Sequence, residues 1–188
     1  MNNPKITVRA ATREDAQTIA RVVAMAIGDE SALLNYCGEE YLAVLTAVAA
    51  SDSTQYAWSR ALVAEVNGIV AGGIVGYDGA QLRELREGTF SIIRKQICRI
   101  PTIADETEAG EYYLDSLAIF PEFRGIGAAR ALIAEFCHQA FTNGHHRVGL
   151  IVDQENPEAE RLYSSLGFMR VGIRTFLGHT MWHLQRCR

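Results

Sequence analysis

Ile6 and Val8 stand between polar neighbours at the start of the chain. A period of two marks a strand with one buried face, so a short first strand is expected there. Thr12-Arg13-Glu14-Asp15 reads as a helix start. Thr12 is an N-cap candidate, and the acidic residues suit the positive end of a helix. Ile19, Val22, Val23 and Ala26 then recur at helical spacing, and a second helix is expected over residues 39–50. Residues 62–66 and 69–77 read as strands joined by Asn67-Gly68, a dipeptide that accepts the positive φ angles of a tight hairpin turn.

Residues 78–110 are less regular. Helix-like pieces are expected around 82–86 and 90–98, followed by Asp105-Glu106-Thr107-Glu108, read as a solvated acidic loop, with attraction of a cationic ligand as the alternative. This stretch is too short to build its own core and is expected to be an elaborated connection. Long connections of this kind often serve as lids or specificity loops. The second half is clearer. Strands are expected at 112–119, 147–152, 168–174 and 176–184. Helices are expected at 125–141, with Leu132, Phe136 and Ala140 on one face, and at 156–166.

A length of 188 residues fits one domain over residues 1–188, with the connection at about 78–110. A chain this long buries roughly 70 % of its unfolded surface and folds without staples. Lys plus Arg is 18 and Asp plus Glu is 22, a formal charge of −4, which argues against a general nucleic-acid binder. Cys37, Cys98, Cys137 and Cys187 are far apart, match no zinc spacing, and read as structural thiols of a reducing compartment. Met1-Asn2-Asn3-Pro4-Lys5 leads into the first strand with no apolar signal region. No apolar run approaches the roughly 20 residues needed to span a bilayer. A soluble, cytoplasmic protein with no membrane partner is therefore expected.

The first chemical signal is the segment from Ile119 to Ala129, where a strand ends, Arg124-Gly125-Ile126-Gly127 turns, and a helix opens through Ala128 and Ala129. A helix N-terminus carries unpaired N–H groups and a positive dipole end, and small residues let a diphosphate approach them. A turn whose glycines serve only tight packing is the alternative. A P-loop would need Gly-Lys-Ser/Thr, whereas Gly127 is followed by Ala128-Ala129. A dinucleotide fingerprint would need a third glycine where Arg130 stands. The second signal begins at Asn156-Pro157, a good N-cap and first helical residue, and ends at Gly167. Ala159, Leu162, Tyr163 and Leu166 share one face of this helix, and periodicity alone makes Tyr163 a core residue.

Together the two segments resemble the GCN5-related N-acetyltransferase (GNAT) superfamily. Arg124-x-x-Gly127-x-Ala129 matches its Q/R-x-x-G-x-G/A loop. Asn156-x-x-Ala159-x-x-Leu162-Tyr163-x-x-Leu166-Gly167-Phe168 is similar to its second signature. The resemblance is sharp over residues 111–174. It implies an α/β (α+β) fold with a central mixed, mostly antiparallel sheet, a splayed parallel strand pair, and flanking helices. It also implies acetyl-CoA as acyl donor, with no metal. The backbone of Leu117, Ala118 and Ile119 would pair with the pantetheine amides, and the N–H groups of Arg124, Gly125, Ile126, Gly127, Ala128 and Ala129 would hold the pyrophosphate. Asn156 would bond the pantetheine arm, and Tyr163 would protonate the leaving thiolate.

Removing a proton from the attacking amine calls for a base. Glu111, Tyr113 and Asp115 share one face if their strand is regular. Tyr113 stands where the histone-modifying members of the superfamily carry their glutamate. Asp115 is therefore the first candidate and Glu111 the second, each with a structural or substrate-binding role as the alternative. A bulge would change the faces. His179 and His183 share a face of the last strand with no third ligand evident, so no metal site is expected. Trp58 and Trp182 read as core or pocket wall. The expected activity is acetyl transfer to a primary amine, on a small molecule or a protein N-terminus, by direct attack in a ternary complex. A non-catalytic acyl-CoA sensor and a transferase of another acyl chain are the alternatives, and a homodimer is left open.

Overall fold

The computed structural model describes residues 4–97 and 103–188. Its elements run β1 (Ile6–Ala10), α1 (Ala16–Ile27), α2 (Glu30–Cys37), α3 (Tyr41–Ala49), β2 (Ala61–Val66), β3 (Ile69–Asp78), α4 (Leu82–Ile93) and β4 (Tyr112–Ile119), then α5 (Ala128–Thr142), β5 (Arg147–Asp153), α6 (Pro157–Ser164), β6 (Met169–Phe176) and β7 (His179–Cys187). The seven strands form one sheet in the order β1-β2-β3-β4-β5-β7-β6. Every neighbouring pair is antiparallel except β4 and β5. This is the α/β architecture expected, with helices on both faces of a mixed sheet.

The period of two sorts the core into two layers. Leu62 and Ile74 join Leu132, Ile133 and Phe136 on the α5 side. Their neighbours Val63 and Val75 join Ile19, Val23 and Leu45 under α1 and α3 on the other side. A Cβ at Gly76 would lie 2.2 Å from Phe136 Cζ, so this glycine lets α5 close on the sheet. No helix among the described residues is long and apolar enough to cross a membrane.

Several elements differ from the sequence expectation. The helix expected at 39–50 is α3, but α2 was not foreseen. It buries only Leu33, Tyr36 and Cys37, and its start lies in Asp29, whose Oδ1 accepts the Ser31 and Ala32 N–H groups at 2.7 and 3.1 Å. In α1, Ala26 is exposed while Ala20 and Ala24 are buried. Thr12 does not cap α1 through its side chain. Instead Asp15 Oδ2 accepts the Thr12 N–H and hydroxyl, and Arg9 Nη1 at 2.8 Å. The pieces expected at 82–86 and 90–98 are one helix, α4, ending at Ile93; Cys98 lies outside the described residues. The last strand begins at His179 because Leu177 and Gly178, at φ 49° and 84°, form the β6–β7 turn.

Candidate active site

The sheet opens at one place. β4 pairs with β3 from Asp78↔Tyr112 to Gly72↔Ile119, but with β5 only at Tyr112↔Val148 and Tyr113↔Gly149. Beyond Tyr113 the edge of β4 that faces β5 has no strand partner. Backbone N–H and C=O groups left this way need partners from elsewhere, and a ligand with amides of its own can supply them. Phe120 N–H bonds Ala71 O on β3, and successive residues of a strand turn these groups to opposite edges, so Leu117 and Ile119 face the free edge while Ala118 faces β3.

A bulge sits in the same strand. The ladder passes from Gly76↔Leu114 to Val75↔Ser116 and leaves Asp115 unpaired. Bulges re-aim side chains. Leu114 and Leu117, three residues apart, both reach the α5 side of the sheet. Asp115 and Tyr113 both meet Tyr77: the Tyr77 hydroxyl donates to Asp115 Oδ2 at 3.0 Å, and its ring stands edge-on to Tyr113 at 5.7 Å.

After β4 the chain makes one tight turn, Pro121–Phe123, and enters the glycine loop. Gly125 and Gly127 have φ of 77° and 97°, a region that L side chains rarely adopt. A Cβ on Gly125 would meet nothing within 4 Å, and one on Gly127 only Ile6 Cδ1 at 3.9 Å. The glycines thus serve the backbone path and leave the outer face of the loop open. The first N–H groups of α5, on Ala128, Ala129 and Arg130, have no partner within the helix. An open face backed by free N–H groups of a 15-residue helix suits a diphosphate. Arg124 differs from the expectation: its N–H bonds Pro121 O at 3.3 Å and its Nε bonds Ile119 O at 3.2 Å, so its own N–H is already engaged within the turn.

Across the gap, Asn156 caps α6, its Oδ1 accepting the Ala159 N–H at 3.1 Å. Its side-chain NH2 group makes no hydrogen bond among the described residues. Tyr163 is half-buried and stands edge-on to Phe168 at 5.8 Å. Burial pushes its phenol up to about 12, so at neutral pH it holds a proton to give. Arg130 Nη2 donates to Ser165 Oγ at 2.8 Å and ties α5 to the end of α6.

The two candidate carboxylates have opposite surroundings. Asp115 is half-buried and accepts the Tyr77 hydroxyl and, at 2.9 Å, the Ser116 hydroxyl. Burial, followed by the charge of Glu106, pushes it up to about 7 against those two donors. Glu111 precedes β4 and is 2 % exposed. It accepts Thr107 Oγ1 at 2.6 Å, Gln185 Nε2 at 2.7 Å and His183 Nε2 at 2.9 Å. Burial acts to raise its pKa, but these donors outweigh it and hold the carboxyl below its ordinary value. A Cβ on Gly149 would fall 1.8 Å from Glu111 Oε2, so β5 keeps a glycine where the carboxylate passes beneath it. Glu111→Ala strands three donors. It is expected to cost about 3 kcal/mol in urea unfolding, with acetyl transfer per folded molecule retained. Full stability with lost turnover would make Glu111 the base instead.

Three features escaped the sequence reading. Glu106 and Thr107 are buried, at 4 % and 2 % exposure, so the acidic run is not a solvated loop. Arg86 of α4 pairs with Glu106 Oε2 and, at 2.7 Å, with Asp105. Gln55 Nε2 donates to the Tyr77 hydroxyl at 3.0 Å and to Glu106 at 3.3 Å. No local pattern signals contacts made over such separations. The two histidines expected on one face serve different partners, His183 on Glu111 and His179 on Asp153 at 2.8 Å. Among the described residues no group of three or more metal-ligating side chains is placed to hold an ion. A recess of about 440 Å³, lined in part by Arg60, Tyr112 and His145, lies at the start of β4 rather than at the open gap.

Residues 31–168 match the acetyltransferase (GNAT) family. The crystal structure of an acetyltransferase superposes with a TM-score of 0.81 at 32 % identity, over 96 % of this chain and 98 % of that one. An N-acetyltransferase from Staphylococcus aureus Mu50 gives 0.80 at 26 % identity, over 95 % and 99 %. An uncharacterized N-acetyltransferase of Mycobacterium tuberculosis is 41 % identical over 63 residues, 34 % of this chain. The match spans 40 % of that curated relative's length.

Proposed function

This chain belongs to the acetyltransferase (GNAT) family, and from that membership we propose that it transfers an acetyl group from acetyl-CoA to a primary amine by direct attack in a ternary complex. The observation that carries the reading is the opening of the sheet beyond Tyr113↔Gly149, with the glycine loop at the end of the free strand edge. The acceptor is a small-molecule amine or a protein N-terminus.

When bound, acetyl-CoA supplies the thioester that the amine attacks. The free edge of β4 at Leu117 and Ile119 takes the pantetheine amides, with Ala118 between them bonded to β3, and the Asn156 side-chain NH2 group donates to the same arm. The N–H groups of Gly125 through Ala129 hold the diphosphate, with the Arg124 guanidinium at the rim. Asp115 takes the proton that the amine must lose, and Tyr163 gives one to the departing sulfur. Both roles are supported by the protonation states that burial favours: a carboxyl pushed up to about 7 and a phenol pushed up to about 12.

Ligand-dependent melting tests the reading. A ligand at 100 times its dissociation constant adds about 2.7 kcal/mol, and each kcal/mol moves the melting temperature of a domain this size by roughly 2–4 °C. CoA or acetyl-CoA is therefore expected to raise it by about 5–10 °C, and NAD to leave it unchanged. Gly127→Val should abolish most of that shift, because a β-branched residue cannot adopt φ 97° and would fill the loop. Gly125→Asp keeps the fold, since Asp tolerates the left-handed region, and sets a carboxylate where the diphosphate lies. A shift with NAD and none with CoA would overturn the assignment. A CoA shift with no thiol release across an amine panel would leave a binding module.

A further inference from the structure

The Tyr77 hydroxyl carries one hydrogen but faces two carboxylates, Asp115 Oδ2 at 3.0 Å and Glu106 Oε1 at 3.2 Å. It also accepts the Gln55 amide at 3.0 Å. The second hydrogen of the Gln55 amide reaches Glu106 Oε1 at 3.3 Å, so with both carboxylates ionised the phenol donates to one of them and stands against the other without a proton between them. With one proton added both contacts are filled: Asp115 donates to Tyr77, and Tyr77 donates to Glu106. Gln55 Oε1 is buried with no partner among the described residues, the cost of turning its NH2 group toward Tyr77 and Glu106.

Arg86 fixes the far end. It is 9 % exposed, pairs with Glu106 Oε2 and Asp105, and donates to Ile103 O at 3.3 Å and Ala104 O at 3.2 Å. Other groups also face Asp115. Ser116 donates to it within its own strand, and the phenols of Tyr36, Tyr56 and Tyr113 feel its charge. Burial keeps all three phenols protonated at neutral pH. Among these neighbours Glu106 is the acceptor on the other side of the shared hydroxyl.

We propose that Glu106 is the second half of the base: through the Tyr77 hydroxyl it takes over the proton that Asp115 accepts from the acceptor amine, with Arg86 positioning it. The step is balanced. The N–H bond of the amine breaks as an O–H bond forms on Asp115. That proton passes to the Tyr77 oxygen while the original Tyr77 proton passes to Glu106 Oε1. One O–H bond forms and one breaks at the phenol, and Asp115 is left ionised. Glu106, Tyr77 and Arg86 act through Asp115 and are positioning residues. The inference rests on Asp115 being the base.

The test is carboxyl NMR on protein labelled with 13C at the Asp and Glu side-chain carboxyl carbons, with no acceptor present. The Asp115 and Glu106 signals are identified by their loss in Asp115→Asn and Glu106→Gln. In the native protein both signals should move in one shared step, since a proton held by a coupled pair is reported by both members. Tyr77→Phe should split them, leaving the Glu106 signal still while Asp115 titrates. Glu106→Gln removes a neighbouring negative charge and should lower the Asp115 midpoint by about one pH unit. Arg86→Met removes a positive charge and should raise it by a similar amount. If Arg86→Met does not fold, the double variant with Glu106→Gln removes the charge pair together and should bring the Asp115 midpoint back from its Glu106→Gln value toward the native one. An Asp115 midpoint that ignores Glu106→Gln, or a Glu106 signal that never moves with Asp115, would overturn the relay. Loss of the relay alone leaves the acidic limb of the rate profile dependent on Asp115; failure of the base reading leaves that limb intact in Asp115→Asn.

Discussion

Asp115→Asn is expected to slow acetyl transfer at pH 7 by about 100-fold or more and to flatten the acidic limb of the rate profile. An acceptor amine is a cation at neutral pH and cannot attack until its proton is gone. Asp115 stands on the bulge of β4, next to the point where β4 leaves β5, and titrates at about 7. A base of that pKa is half ionised at working pH and still strong enough to take a proton. Asn keeps the shape and one hydrogen-bonding oxygen for Tyr77 but cannot take the proton. Retention of the acidic limb in Asp115→Asn would show that the proton leaves through water or the substrate.

The same substitution should stabilise the protein. The folded pKa of Asp115 lies above its ordinary value of 3.8, so the folded state binds the extra proton between about pH 4 and pH 7. Stability therefore falls as pH rises through that window, and the penalty is fully present above it. Asp115→Asn escapes the penalty and should melt about 2–8 °C higher than the native protein at pH 8, with the difference closing toward pH 4. A difference that is the same at both pH values would mean that the carboxyl titrates normally. A stabilising change at the proposed base is the trade expected where a charge is held in a poorly solvated place for its reactivity.

Tyr163→Phe should lower turnover by about 10-fold to 1,000-fold at saturating substrates while leaving acetyl-CoA affinity nearly unchanged. The hydroxyl is the only group lost, and the ring keeps its edge-on contact with Phe168. Burial holds the phenol protonated well past neutral pH, so it can give a proton to sulfur but cannot take one from the amine. The loss should therefore appear in kcat and leave the acidic limb set by Asp115 in place. Unchanged turnover, with chemistry shown to be rate-limiting, would remove Tyr163 from the reaction. Single-turnover rates with acetyl-CoA preloaded separate that step from product release.

Much of the proposed ligand cradle is written locally. Asn156-Pro157 caps and opens α6 because side-chain oxygen and fixed φ act within one turn, and Gly125 and Gly127 mark left-handed backbone that few other residues accept. The spacing of these two segments points to the family, and the strands around them follow from their period of two. Helix α2 is less legible because only three of its eight positions are buried, leaving little hydrophobic pattern to read.

The carboxylates were a different problem. Glu111, Tyr113 and Asp115 look equivalent along a regular strand, and a single unpaired residue at Asp115 changes which way the chain beyond it faces. Glu111 is locked by His183 and Gln185, which lie 72 and 74 residues away. Asp115 meets Tyr77 across 38 residues, and Tyr77 meets Glu106 across 29. The sequence by itself determined what depends on neighbours within a turn or a pleat: the strands, most of the helices, the cap of α6, the glycine loop and the family they belong to. Only the tertiary structure decided which carboxylate is held by donors and which is left short of them, because a pKa depends on burial and on charges brought close in space, and neither is encoded by position along the chain.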